Sequence, residues 1–222
     1  MLLQTLVVAH IAVLGYWLGS ELVINSTFRY VSYADGLPFA ERDRLLDHVM
    51  DADQHVRYAL ILQLGLGMAL AALYGYLPGG ATSAAAAGLF AAAWLALVEL
   101  THRRRKSSAG TLLALADHAV RHAVMLALLV LGALALTGVL QAPGWLAWKM
   151  ILFAGVIVCG VGIRLALVRY FAVWQEIGAQ GSDPTLESRL RQGYRRATGV
   201  LAVLWLLIAG ITVLSVAKPP LG

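Results

Sequence analysis

The sequence predicts an all-α fold, a polytopic membrane helical bundle with six transmembrane helices, and three observations support it. First, 60% of the 222 residues are hydrophobic and only 13% are charged, with a mean hydropathy of +0.75, which is more apolar than a soluble domain. Second, six apolar segments approach or exceed roughly 18 residues, the length of helix that crosses a hydrocarbon core. Third, the basic residues gather in alternate connections between these segments.

The six segments form one integral membrane domain, residues 1–222, and are separated by turn residues or polar connections. A Leu-Pro-Gly-Gly turn at 77–80 and a Gln-Ala-Pro break at 141–143 predict two tight antiparallel hairpins. The first segment lacks the basic start and the cleavage site of a signal peptide, so we expect a retained helix. The predicted helices cover residues 2–24, 58–77, 81–100, 123–140, 144–163 and 197–217.

The distribution of positive charge predicts the orientation. All of the 17 Lys and Arg residues except Lys149 and Lys218 lie in or beside the connections after the first, third and fifth segments. Because Lys and Arg are retained on the cytoplasmic side, we expect both termini to be periplasmic in a bacterial inner membrane. The net charge of +5 then reflects topology and contact with the lipid bilayer, and nucleic-acid binding is not expected.

Two surface features are also predicted. Aromatic residues near the periplasmic ends predict an interfacial belt; they are Tyr74, Tyr76, Trp145 and Trp148. Two cytoplasmic connections are predicted to carry separate interfacial helices. One would start at Asp183 and Pro184. The other would present an apolar stripe, formed by Leu45, Leu46, Val49 and Met50.

Ionisable residues at membrane depth are the first functional candidates, because burying them in lipid is costly. His10, Leu14, Trp17 and Glu21 share one helical face, which we expect to point into the bundle. At 1.5 Å per residue, His10 lies about 12 Å into its helix and Lys149 about 8 Å into its own, so the two can occupy one layer. His10 is either a core histidine or a ligand to a metal or haem iron, and Lys149 either snorkels to the interface or joins that site.

A second group of ionisable residues is predicted at the cytoplasmic side. His118 and His122 share a helical face, and their i, i+4 spacing can hold two imidazoles on one metal ion. No Glu follows His118 directly, so the zincin motif is absent. A solvated helix end, a proton route, a metal site and haem ligation all remain open for this group. Its other members are His55, Glu99, His102 and Asp117.

Several kinds of chemistry are excluded by missing motifs. The single cysteine, Cys159, has no partner within the chain for a disulfide or a zinc ribbon. The chain also lacks a phosphate-binding glycine loop, a nucleophile elbow and the Cys-x-x-Cys-His motif of covalent haem attachment. Any haem would therefore be bound without covalent attachment.

Two helices resemble known families. Residues 10–19, HIAVLGYWLG, resemble the opening helix of CopD-type copper-resistance membrane proteins and HemJ-type protoporphyrinogen oxidases, which pair an N-terminal His with Trp-x-Gly. Residues 145–153, WLAWKMILF, resemble their Trp-Leu-x-x-Lys-Leu segment. The resemblance implies that His10 and Lys149 serve haem b binding and activity, or copper uptake or tolerance. The chain differs from HemJ in its length, its six spans and the position of the Lys, and from copper proteins in its scattered Met residues.

Three functional hypotheses follow. The first is a redox or metal-handling protein that holds haem b, or alternatively a copper ion, between its helices. Its cofactor-binding residues would be His10, Lys149, Trp17, His118 and His122, and its candidate metal ligands His10, His118, His122 and His55. The second is a copper or small-solute permease whose polar residues line a path. The third is a non-catalytic subunit that anchors a larger membrane complex or a redox partner.

Overall fold

The computed structural model describes residues 1–105 and 107–220, and every regular element in these ranges is a helix. Each of the six helices is long and apolar enough to cross a membrane. The prediction of an all-α fold with six spanning helices is confirmed, and the chain is a multi-pass membrane protein. The helices are α1 (Leu2–Tyr33), α2 (Phe39–Leu73), α3 (Gly80–Arg103), α4 (Ser108–Leu136), α5 (Gly144–Gln180) and α6 (Pro184–Ala217).

The helices are arranged as a ring. Each helix packs mainly against its neighbours in the chain, and α6 packs back against α1. Two close approaches depend on glycine: a Cβ at Gly65 of α2 would lie 2.6 Å from the Cβ of Ala91, and one at Gly132 of α4 would lie 2.7 Å from Ile151. Glycine at these two positions therefore allows α2 to pack closely against α3, and α4 to pack closely against α5.

Both termini lie at one end of the ring, which we call the terminal end. Lys218, just after α6, places its ammonium between three aromatic rings, with Nζ 5.9, 5.6 and 5.7 Å from the ring centroids of Tyr74, Tyr76 and Trp145. This cation–π contact joins the end of α6 to the α2–α3 turn and the start of α5. Three members of the predicted belt thus meet at the terminal end. Its assignment to the periplasm stays a prediction.

Four helices continue beyond the length that a bilayer needs. The 37 residues of α5 span about 55 Å, against a hydrocarbon thickness of about 30 Å. The ends of α1 and α5 and the beginnings of α2 and α6 pack together at the opposite end of the ring. We call this part the extension. Its own hydrophobic core contains Phe28, Val31, Leu46, Val49, Tyr170, Val173, Trp174, Ile177, Leu186, Leu190 and Tyr194.

The prediction of separate interfacial helices is wrong. Residues 39–58 contain neither Gly nor Pro, so α2 continues through them without a break. Leu46 and Val49 of the predicted apolar stripe are buried in the extension rather than exposed to lipid headgroups. The predicted helix start at Asp183 and Pro184 is correct, but it begins α6 itself. Asp183 accepts two backbone N–H bonds there, which lower the pKa of its carboxyl group.

One buried ion pair connects all four helices of the extension. Arg42 and Glu187 are only 1% and 3% exposed, and the guanidinium donates to both carboxylate oxygens, at 2.7 and 3.0 Å. Arg42 Nε also donates to the carbonyl oxygen of Val31, Ser182 donates to Glu187, and the guanidinium lies 5.1 Å from the ring centroid of Trp174. The pair therefore joins α1, α2, α5 and α6 through satisfied polar contacts.

Removing the acid of this pair is expected to destabilise the extension strongly. Glu187→Gln leaves the Arg42 guanidinium buried without a counter-charge, which costs about 3–5 kcal/mol. The matched control is Glu176→Gln, which breaks the exposed Arg189–Glu176 pair and is expected to cost less than about 1 kcal/mol. Thermal or denaturant unfolding in mild detergent measures both. Equal losses would show that the buried pair is no more important than a surface one.

The same pair predicts an acid sensitivity. Burial acts to raise the pKa of Glu187, but the hydrogen bonds and charge of Arg42 and the bond from Ser182 outweigh it, so the pKa lies below its ordinary 4.5. A depressed pKa in the folded state means that the stabilisation is complete above the unfolded value and is lost as the pH falls through the folded one. We expect the melting temperature of the wild type to decrease as the pH is lowered below 4.5. In Glu187→Gln the decrease with pH should be less steep. Parallel pH profiles would contradict this.

Candidate cofactor site

The His10 side chain lies between α1 and α2, within the spanning part of the ring. Its Nε2 is 3.2 Å from the amide nitrogen of Gln63. Its ring packs on Gly67, where a Cβ would lie only 3.3 Å from His10 Cε1. The other ring nitrogen, Nδ1, is buried and has no hydrogen-bond partner among the described residues. One nitrogen of the imidazole is thus positioned by α2, and the other is available to bind a ligand.

Lys149 brings positive charge to His10 from the other side of the ring. It is half-buried on α5, and its field reaches His10. The charged residue whose field reaches Lys149 is another lysine, Lys218. No described carboxylate pairs with Lys149. The charge of Lys149 therefore acts on His10, and no described carboxylate offsets it; that the two residues form one site stays a prediction.

An apolar groove begins one helical turn from His10, but its lining contains none of His10, Gln63, Gly67 and Lys149. It has a volume of about 440 Å³ and runs between α1, α2 and α3 at the terminal end, within the range of small-molecule and cofactor sites. Leu6, one helical turn before His10, lines it, as do Leu62 and Leu66, which flank Gln63. A second apolar groove of about 540 Å³ lies between α2, α3 and α4. The first groove is therefore an apolar surface close to the start of α1, with the polar side chains around His10 outside its lining.

Towards the extension, the ring contains two buried carboxylates, each bound by an indole. Trp17 Nε1 donates to Glu21 at 3.3 Å, and Trp94 Nε1 donates to Asp117 at 2.8 Å. Arg121 also contacts Asp117, at 3.1 Å. Trp17 is 1% and Glu21 6% exposed, so the predicted face of α1 does point into the bundle. Each carboxylate is held by a specific donor, which fixes its position inside the ring.

The four predicted metal ligands are not brought together. His55 is exposed and hydrogen-bonds to Tyr16 at 2.5 Å. His122 is exposed, and its Nδ1 is 2.7 Å from the carbonyl oxygen of His118 in its own helix. Among the described residues, no group of three His, Cys, Asp or Glu side chains is arranged to hold a metal ion. The i, i+4 spacing places His118 and His122 on one face, but that face has no third ligand.

Two residues of the site were missed by the sequence reasoning. Gln63 is uncharged and Gly67 is one of 22 glycines, so neither stands out beside the histidines. Gln63 could have been noticed because an amide side chain within the apolar second segment is costly to bury in lipid. The contact itself depends on the register between α1 and α2, which one sequence does not reveal.

Comparison of the chain with protein-family models, curated proteins and solved structures finds no match. The resemblance to CopD- and HemJ-type proteins therefore stays a prediction, based on the two helices quoted above.

Gly67 is expected to be essential for the position of His10. In Gly67→Val the new side chain meets the imidazole, and overpacking of this kind costs about 1–3 kcal/mol. Gly160→Val is the control, because it makes the same change in helix propensity at an exposed position of α5 with nothing within 4 Å of the new Cβ. Melting temperatures in detergent compare the two. Equal decreases in melting temperature would mean that both effects come from replacing glycine in a helix, and that the contact between Gly67 and His10 contributes nothing.

Proposed function

We propose that this protein binds haem b within its helical ring and acts in membrane redox chemistry, with His10 holding the haem iron and Lys149 pairing with a haem propionate. The observation that carries the proposal is the buried Nδ1 of His10, which has no partner. The charge of Lys149 acts on the same side chain. These are the two residues to which the family resemblance assigns haem binding.

The charge around His10 favours haem over a copper ion. A bare cation needs several donors or a carboxylate nearby, and Lys149 would repel it. No described group of three metal-binding side chains exists to offset that repulsion. Haem b needs only one or two axial ligands from the protein, and its carboxylates attract a lysine. The same positive charge that opposes copper therefore supports the binding of a propionate.

Gln63 is suited to orient His10 as a ligand. A ligating histidine usually donates its other N–H to an oxygen, which fixes the tautomer and the ring. Gln63 Oε1 is buried without a partner, and its amide already contacts His10 Nε2. Rotating the amide by 180° lets Oε1 accept the Nε2 proton, since the two amide ends are nearly indistinguishable in shape. His10 Nδ1 then presents its lone pair to the ligand.

The surroundings suit a non-covalent porphyrin. The groove that begins at Leu6, one turn before His10, is lined by Leu, Ala and Gly residues, which would cover apolar ring edges and exclude water. Trp17, two turns along the same face, packs against Phe153 with ring centroids 6.2 Å apart and closes the ring below the site. Bound haem would supply one-electron transfer, while this chain's residues would orient it, neutralise its carboxylates and keep the site dry.

The test is the visible spectrum of the purified protein from cells with ample haem and copper, together with metal analysis. We expect a Soret band and reduced α and β peaks in the wild type, and their loss in His10→Ala. Lys149→Leu is expected to lower haem occupancy without moving the band positions, because the lysine pairs with a propionate rather than with iron. His48→Ala is the matched control, since His48 is exposed in the extension and far from the site.

Three results would overturn the proposal. If the purified wild type is colourless and contains no metal, the remaining hypotheses are the small-solute permease and the non-catalytic subunit. Stoichiometric copper without a Soret band assigns the site to copper. A Soret band that survives in His10→Ala places haem elsewhere in the chain.

A further inference from the structure

A cluster of polar side chains joins α1, α2 and α3 on the side of the extension. Tyr16 hydrogen-bonds to Nδ1 of His55 at 2.5 Å, and the His55 ring packs edge-on against Tyr58, with ring centroids 6.3 Å apart. Tyr58 donates a hydrogen bond to Glu99, which also accepts one from Arg103. These five residues form one connected group, which we call the tyrosine cluster.

The first apolar groove ends one helical turn from the tyrosine cluster. Leu62 of α2 and Leu95 of α3 line the groove, and none of the cluster's side chains does. Tyr58 precedes Leu62 by one turn and Glu99 follows Leu95 by one turn, so each shares a helical face with that leucine. From Leu95 the α3 wall of the groove runs to Ala81, about 21 Å along the helix. A long apolar surface thus ends close to a polar cluster.

The groove opens to the outside of the bundle. Leu2 on its α1 wall is 68% exposed, and Ala85 and Ala92 on its α3 wall are exposed as well. The opposite face of α2, which includes Leu64 and Met68, lines the second groove against α4. A ligand would therefore reach the first groove from the lipid rather than from water.

The depth of the cluster suits the head of a lipid-soluble molecule. Tyr16 follows Leu2, the first residue of α1, by about 21 Å of helix, and Glu99 follows Gly80, the first residue of α3, by about 28 Å. Since the hydrocarbon core is about 30 Å thick, the cluster lies in its extension-side part, close to the headgroups. A molecule with its head there and its tail in the groove would keep the tail in hydrocarbon.

The hydrogen-bonding groups of the cluster suit an uncharged head. When Tyr16 donates to Nδ1, the neutral imidazole of His55 carries its proton on Nε2. His55 is exposed, so this N–H can donate to a ligand. The two formal charges of the cluster, Glu99 and Arg103, pair with each other. A phosphate would meet no unpaired cation in the cluster, whereas a carbonyl oxygen would meet a donor.

We propose that the first groove and the tyrosine cluster bind an isoprenoid quinone, with its ring at His55 and its apolar tail along α3. A quinone has two carbonyl oxygens and no charge, which matches the cluster, and its tail matches the groove. The choice of a redox-active lipid rests on the proposed function, since a redox protein of the membrane needs an electron-exchanging partner. Binding itself does not require haem, because His10 is outside the groove lining.

The groove is tested by titrating the purified protein in mild detergent with a short-tailed ubiquinone and counting bound molecules by native mass spectrometry. In Ala92→Leu the larger side chain occupies space in the groove, so we expect the affinity for the quinone to fall about ten-fold or more. Ala93→Leu is the matched control, because Ala93 is also exposed and lines neither groove. Melting temperatures confirm that both variants fold.

The cluster is tested in the same titration with His55→Leu, which removes the Nε2 donor. Loss of one hydrogen bond is expected to weaken quinone binding about five-fold. Tyr16→Phe no longer fixes the tautomer of His55, so an intermediate affinity is expected. His48→Leu, which changes an exposed histidine of the extension, is the control and should bind as the wild type does.

Three results would overturn the quinone site. Equal quinone binding by Ala92→Leu and Ala93→Leu would show that the tail does not lie in the groove. Equal binding by His55→Leu and His48→Leu would show that the ring does not lie at the cluster. Phosphatidylglycerol that displaces the quinone at equal concentration would assign the groove to ordinary phospholipid.

The outcome can be separated from that of the haem proposal. We expect His10→Ala to bind the quinone as tightly as the wild type does. A colourless wild type that binds quinone with the expected losses in Ala92→Leu and His55→Leu would reject the haem and keep the quinone site. A haem-containing wild type that binds no quinone would reject the quinone site alone.

Discussion

The bilayer determines this structure through one constraint: polar groups within it must find partners inside the protein. The backbone meets this requirement as six helices, and the side chains meet it by facing the interior of the ring. Glu21 and Asp117 each accept an indole N–H, which stabilises them inside the ring. Where a polar group lacks such a partner, as at His10 Nδ1, the constraint is unmet by the protein alone.

The extension lies beyond the spanning part of the ring, and its helices are held together by different interactions. Water can solvate its outer surface, so its helices need a packed core and specific contacts to stay together. The Arg42–Glu187 pair supplies contacts to all four helices, and Trp174 stacks over Tyr170 with ring centroids 6.2 Å apart. Because α1, α2, α5 and α6 are continuous from the extension into the ring, the order of this core also fixes their register within the membrane. The position of His10 on α1 relative to α2 thus depends in part on contacts far from it.

Positive charge is handled differently at the two ends of the ring. Near the termini, Lys149 and Lys218 meet no described carboxylate, and Lys218 is stabilised by aromatic rings instead. Near the extension, Arg57 pairs with Asp53 and Arg121 with Asp117. The proposed carboxylate-bearing cofactor would bind at the end where the protein leaves positive charge unpaired.

The sequence by itself determined the six apolar spans, their hairpins and the inward face of Trp17 and Glu21, because hydropathy and helical spacing act locally. It also predicted, from their depth in separate helices, that His10 and Lys149 can occupy one layer. Only the tertiary structure decided that Leu46 and Val49 belong to a protein core, that Gln63 and Gly67 contact His10, and that His55, His118 and His122 stay apart from it. These outcomes depend on helix register and on which helices are neighbours. Both are set by packing between residues distant in the chain, which the spacing within one helix does not encode.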